Sequence, residues 1–177
     1  HHGAQQQLST GKGSPEMSST LTFRSVFPFK AATAFILTAA LLLFAAAVHA
    51  QGGITVEHEL GTTVVGFKPE RVVVFDYGIL DTLDVLSVEV AGLPKSNIPP
   101  YLSKYADDKY VNVGTLQEPD YEVINDLRPD LIIISARTSA HYEGLSELAP
   151  TVYMDVRFDD YFGSVKYNVR TLGRIFG

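Results

Sequence analysis

Residues 72–86 read VVVFDYGILDTLDVL, and this stretch constrains the fold more than any other part of the chain. Val72 to Phe75 are continuously apolar, as a strand buried on both faces must be, whereas a half-exposed strand would alternate. Asp76-Tyr77-Gly78 then offers a turn, and Ile79, Leu80, Leu83 and Leu86 recur along one face of a helix. A buried strand that runs straight into an amphipathic helix is half of a βαβ unit. Such units build parallel sheets covered by helices on both faces.

The same alternation continues. A second strand is expected over Val88–Leu93, a proline-rich loop over Pro94–Pro100, a helical turn at Leu102–Tyr105 and a weak strand at Tyr110–Val113. Asp120 predicts the N-cap of a helix that turns Tyr121, Ile124 and Leu127 inward and stops at Pro129. Leu131–Ile134 (LIII) reads as a buried strand, Ala140–Leu148 as a helix closed by Pro150, and Thr151–Met154 as a further strand. Tyr161, Val165, Val169, Leu172 and Phe176 predict a long amphipathic helix whose pattern is still running at Gly177, so the chain is expected to be part of something longer. Ahead of these units, Ile54–Phe67 alternates around Gly61 and reads as a β-hairpin. His58, between Glu57 and Glu59, is expected on a solvated strand face and not as a metal ligand.

Residues 1–16 are polar and rich in Gly, Ser and Gln, the look of a tag remnant and linker. From Met17, Arg24 and Lys30 precede an apolar run, Ala31–Val48, that ends in Val48-His49-Ala50. Residues 17–50 therefore read as a signal peptide cleaved after Ala50, with a membrane anchor as the alternative for a run of this length. The sequence has no cysteine. Neither a disulfide nor a lipid-modified cysteine can form, which favours a soluble periplasmic protein over a lipoprotein. The expected organisation is a hairpin region at 51–68, an α/β lobe at 69–157 and the start of a helix at 158–177. The formal net charge is −6, a poor match to nucleic acid, whose binding rests on basic patches.

In open parallel sheets, ligands bind beyond the carboxyl ends of the strands. The residues to inspect are therefore Asp76, Tyr77 and Gly78, then Pro94 and Lys95, then Ser135 and Arg137, and finally Arg157 and Phe158. Three cations with two aromatics suit an anionic, aromatic ligand, since a guanidinium both bonds oxyanions in a planar fork and stacks on rings. Asp76 is expected to cap the helix that follows it. No GxSxG elbow, phosphate-binding glycine loop or histidine pair at metal-ligand spacing is present, so no catalytic residue and no protein-held metal are assigned.

The segments VVVFDYGILDTL, AGLPK, YVNVGTLQEPDYEVINDLRPDLIIISAR and NVRTLGRIFG together resemble the amino-terminal lobe of iron-siderophore substrate-binding proteins of ABC transporters, the catecholate and petrobactin branch of the class III periplasmic binding proteins. The resemblance implies two Rossmann-like α/β lobes joined by one long helix, of which this chain would hold the first lobe and the beginning of the helix. It implies a ferric siderophore as transported ligand, no cofactor, a monomer, an inner-membrane permease as partner and no enzymatic activity. Carried over by position, Arg137 and Lys95 would grip the ligand, with Tyr77, Tyr142 and Arg157 as further contacts. Glu122, with Glu118 next, would dock on the permease. Where the family reads Gly before the arginine, this chain has Ala136, which restricts the backbone. A haem or corrinoid carrier of the same fold and an exported chelatase-like enzyme are the alternatives.

Overall fold

The computed structural model describes residues 52–177. The expectations for residues 1–16 and for the signal peptide at 17–50 lie outside the described residues. Two strands, β1 (Ile54–His58) and β2 (Gly61–Val65), form an antiparallel hairpin in which Val56 pairs with Thr63. A five-stranded parallel sheet follows, built from β3 (Val72–Val74), β4 (Gly92–Leu93), β5 (Val111–Asn112), β6 (Leu131–Ile134) and β7 (Thr151–Tyr153) in the order β5-β4-β3-β6-β7.

Side-chain alternation along the central strands divides the core into two layers. Val72 and Val74 of β3 and Leu131 and Ile133 of β6 face one side, where they meet Ile79, Leu80 and Leu83 of α1 (Tyr77–Val85) and Leu172 and Ile175 of the last helix. Val73, Phe75, Ile132 and Ile134 face the other, against Ile124 of α2 (Tyr121–Leu127) and Leu145 of α3 (Tyr142–Leu148). All eight of these strand-end-to-end positions are essentially inaccessible to solvent, and burial of each such side chain contributes about 2 kcal/mol. Continuous apolar strands are thus the signature of a sheet covered twice, as the sequence pattern requires.

Several expectations need correction, among them that of Tyr121, which is exposed while Ile124 is the buried residue of α2. The strand over Val88–Leu93 shrinks to Gly92–Leu93, because Val88 N–H turns back to the Leu83 carbonyl at 2.9 Å and closes α1, with Ser87 in the left-handed region at φ 59°. Leu86 is the C-cap of α1 and largely exposed, so it does not belong to the helix's inward face. In α4 (Tyr161–Phe176), the buried residues are Asn168, Thr171, Leu172 and Ile175, while Tyr161 and Val169 stand in solvent. The polar Asn168 is drawn inward because its side-chain amide donates to the Asp155 carbonyl at 3.0 Å, just past β7.

His58 also differs from its expectation. It is half-buried beneath the edge of Tyr142, with ring centroids 5.4 Å apart, and not on a solvated face. Thr63 donates its hydroxyl to the Thr151 carbonyl at 2.6 Å, so its oxygen accepts from His58 Nε2–H at 2.9 Å. These bonds fasten the hairpin to β7.

Candidate functional site

The strand order reverses direction between β3 and β6: β4 and β5 are added on one side, β6 and β7 on the other. The loops leaving these two central strands therefore diverge to opposite faces and open a crevice at their carboxyl ends. A hollow of about 930 Å³ lies there, lined by Asp76, Tyr77 and Gly78 after β3, Ser135, Ala136 and Arg137 after β6, and Asp155 through Asp159 after β7. Leu116 closes one wall and Glu59, from the hairpin turn, another. A second hollow of about 600 Å³ adjoins it, sharing Glu59, Asp155 and Arg157.

Each strand end is fixed by its own sequence. Asp76, with extended backbone, accepts from Ile79 N–H at 2.9 Å and caps α1. The helix N-terminus is thereby filled by the chain's own carboxylate, which leaves no cradle there for a phosphate. Tyr77 points its hydroxyl across to the carbonyls of Pro94 and Ser96, tying the β3 loop to the β4 loop. Its pKa is raised by burial, with the Arg137 charge acting in the opposite sense.

Arg137 sits in a short 3-10 helix, Ala136–His141, directly after the buried Ser135. Its side chain is exposed, and among the described residues it has neither a salt-bridge nor a hydrogen-bond partner. Ala136 is not among the positive-φ residues, so it sits at the start of the 3-10 helix without left-handed backbone strain. Arg157 lines the same hollow but is held by Asp159 at 3.3 Å and Asp160 at 3.8 Å. Tyr153 donates its hydroxyl to Asp155 at 3.2 Å, and burial, followed by the Asp155 charge, pushes its pKa up to about 12.

The structure thus brings together Tyr77, Arg137, Arg157 and Phe158 and leaves two expected residues apart. Lys95 follows β4, but its ammonium turns away to the carbonyls of Ala106 at 3.3 Å and Asp107 at 2.8 Å, capping the 3-10 helix Pro100–Ala106. Tyr142 lies under the hairpin, against His58, and lines a different hollow with Thr62 to Val64 and Ser146 to Thr151. Four carboxylates share the main hollow: Asp76 was among the strand-end residues to inspect, whereas Glu59, Asp155 and Asp159 were not expected there. Asp155 was within reach of the strand-end argument, one residue past Met154, whereas nothing local marks Glu59 as a neighbour of β7. Glu122, in the first turn of α2, and Glu118, before its Asp120 cap, are both exposed on the loop side of the sheet.

Residues 72–177 match the family described as periplasmic binding protein. The chain is 52% identical over 127 residues to the petrobactin-binding protein YclQ of Bacillus subtilis, a match that takes in 70% of this chain and 40% of that protein. It is 38% identical over 128 residues to the ferric-anguibactin-binding protein FatB of Vibrio anguillarum, with the same shares of 70% and 40%. The crystal structure of YclQ superposes with a TM-score of 0.70 at 51% identity, covering 71% of this chain and 45% of the other. That of the catecholate-siderophore binding protein VctP of Vibrio cholerae gives 0.68 at 42% identity, covering 71% and 46%. The chain therefore spans less than half the length of each of these relatives. With the parallel sheet, the switch-point hollow and this match agreeing, the chain belongs to the periplasmic binding protein family.

Proposed function

We propose that the described residues form the amino-terminal lobe of a binding protein that captures a ferric catecholate siderophore outside the cytoplasmic membrane and delivers it to the permease of an ABC importer. The observation that carries this reading is Arg137, a guanidinium without an ionic partner among the described residues, lining an open hollow at the sheet's switch point. A ferric tris-catecholate is an anion whose charge is spread over phenolate oxygens flanked by aromatic rings. A guanidinium in a partly dry hollow bonds those oxygens in a fork, and Tyr77 and the fully exposed Phe158 offer faces for the rings. The ligand class is supported by the petrobactin and catecholate specificities in the names of the relatives. The iron arrives already coordinated by the siderophore, so the protein's task is recognition of the chelate and not ligation of the metal.

Within this reading Arg137 and Tyr77 are the ligand contacts, Arg157 stands at the rim engaged by Asp159 and Asp160, and Lys95 and Tyr142 support the lobe from outside the hollow. Glu122, with Glu118 beside it, is the docking residue for the permease.

The test uses the chain's own tyrosines as reporters. Titration with the ferric complex of 2,3-dihydroxybenzoate is expected to quench their fluorescence saturably, at concentrations where haem, cobalamin and ferric citrate do not. Saturable quenching by one of the latter instead, or by none of the four, overturns the catecholate reading.

A further inference from the structure

We infer that Thr138, assisted by His141, is a positioning residue for Arg137: it bolts the 3-10 helix that carries the guanidinium to the loop that contributes Leu116 to the same hollow. The inference rests on the proposed role of Arg137 and deepens it.

Arg137 has no side-chain partner among the described residues to hold it, so its location is set by its backbone alone. That backbone is pinned on both sides by buried residues. Ser135 precedes it, and Thr138, completely buried, follows it, with Thr138 N–H donating to the Ser135 carbonyl at 3.0 Å. The Thr138 hydroxyl donates across the gap to the Leu116 carbonyl at 2.7 Å, and Leu116 is itself a wall of the hollow. One hydroxyl thus sets the distance between the Leu116 wall and the arginine wall.

A second fastening lies three residues on. His141 bonds the Gln117 carbonyl through Nε2 at 2.9 Å and the Tyr121 hydroxyl through Nδ1 at 3.0 Å. A carbonyl only accepts, so Nε2 carries the proton, and in the neutral ring Nδ1 accepts from the Tyr121 hydroxyl. The imidazole bridges the 3-10 helix to two neighbouring elements at once.

The loop at the far end of these bonds is closed on itself by backbone and side-chain hydrogen bonds. Gly114 adopts φ 102°, open only to glycine, and the turn is closed by Thr115 N–H to the Glu118 carbonyl at 2.9 Å and by Glu118 N–H to the Thr115 hydroxyl at 2.9 Å. Asp120 N–H donates to the Val113 carbonyl at 2.9 Å. The Leu116 and Gln117 carbonyls are therefore held in place by the loop and act as fixed anchors for Thr138 and His141. With the segment anchored, only the arginine side chain, and not the backbone that carries it, is left to be ordered when ligand binds.

The experiment is a double-mutant cycle on the whole chain, read by tyrosine quenching with ferric 2,3-dihydroxybenzoate and by thermal unfolding. Thr138→Val removes the hydroxyl at nearly constant volume and is expected to weaken binding about three- to tenfold, the scale of one hydrogen bond. Thr138→Ser, which keeps the hydroxyl, is expected to restore affinity to within about twofold of the parent. In an Arg137→Ala background, Thr138→Val is expected to have no further effect. If Arg137→Ala weakens binding while Thr138→Val is harmless, or is equally damaging with and without Arg137, this inference falls and the role of Arg137 stands. If Arg137→Ala itself leaves affinity unchanged, the role of Arg137 falls, and the positioning role with it. Should Thr138→Val lose its cooperative melt, Tyr121→Phe takes its place. It keeps the ring against Gly144 and removes only the hydroxyl on His141, and an affinity unchanged by that variant overturns the inference.

Discussion

At the scale of single residues, His58 shows how a group that looks idle in the sequence becomes consequential once its tautomer is known. Because Thr63 gives its own proton to the Thr151 carbonyl, His58 must donate from Nε2, which leaves Nδ1 bare. Nδ1 is buried and has no partner among the described residues. Protonation would place an N–H there with nothing to accept it, and desolvation accordingly lowers the pKa below its ordinary value of 6.5. The unfolded chain then binds the proton more readily than the folded one. The stability tied to the neutral ring is fully present above the unfolded pKa and is lost as pH falls through the folded value. His58→Gln keeps a donor near Nε2 and cannot be protonated. Between about pH 7.5 and about pH 5, its melting temperature is expected to fall less than that of the parent protein. Equal acid-side losses in the two proteins would show that the buried ring contributes nothing to acid sensitivity.

At the scale of elements, Asp76 combines two duties that substitution can separate. It caps α1 by accepting from Ile79 N–H, and its carboxylate lines the hollow. Asp76→Ala removes both and is expected to cost about 1 kcal/mol of stability, the usual loss for an N-cap. Asp76→Asn keeps the cap and removes the charge, so chemical denaturation should find it within about 0.5 kcal/mol of the parent. Affinity for an anionic ligand is expected to stay level or rise in both, and a fall would assign Asp76 a direct ligand contact. The cap was legible in the sequence because Asp at a strand end before an apolar periodic run has few other roles. Strands β3 and β6 were legible for a related reason: four apolar residues in succession have no solvated alternative in a domain of this kind. The face of α4 was legible only in part: Leu172 and Phe176 pack on the core as expected, but Asn168 is buried for the sake of one carbonyl at Asp155, an interaction that no hydropathy pattern encodes. Lys95 shows the same limit from the other side. Its position after β4 was read correctly, yet the carbonyls that attract its ammonium lie eleven and twelve residues further along the chain.

At the scale of the whole molecule, the proposed function assigns two tasks to one rim of the sheet. The hollow between β3 and β6 is where the proposed function puts the ligand, while the first turn of α2, after β5, carries the exposed Glu122, with the exposed Glu118 just ahead of the helix. A carboxylate in that turn has an explanation that needs no partner, because the N-terminal end of a helix favours negative charge by about 0.5 kcal/mol. The two accounts differ in what removing the charge does. If Glu122 serves only the helix, Glu122→Ala lowers the melting temperature slightly and leaves transport intact. If it meets a cation on the permease, stability and ligand affinity stay close to those of the parent, while siderophore-dependent iron uptake falls about tenfold or more, since a charged partner is left unpaired at a closed interface. The docking account is the one expected to hold. Uptake of radiolabelled iron as the ferric catecholate, in cells that depend on this protein for it, is the deciding measurement. Glu118→Ala serves as the neighbouring comparison: a loss confined to Glu122 marks a specific ion pair, an equal loss at both marks a diffuse acidic surface, and normal uptake in both variants removes this edge of the lobe from docking.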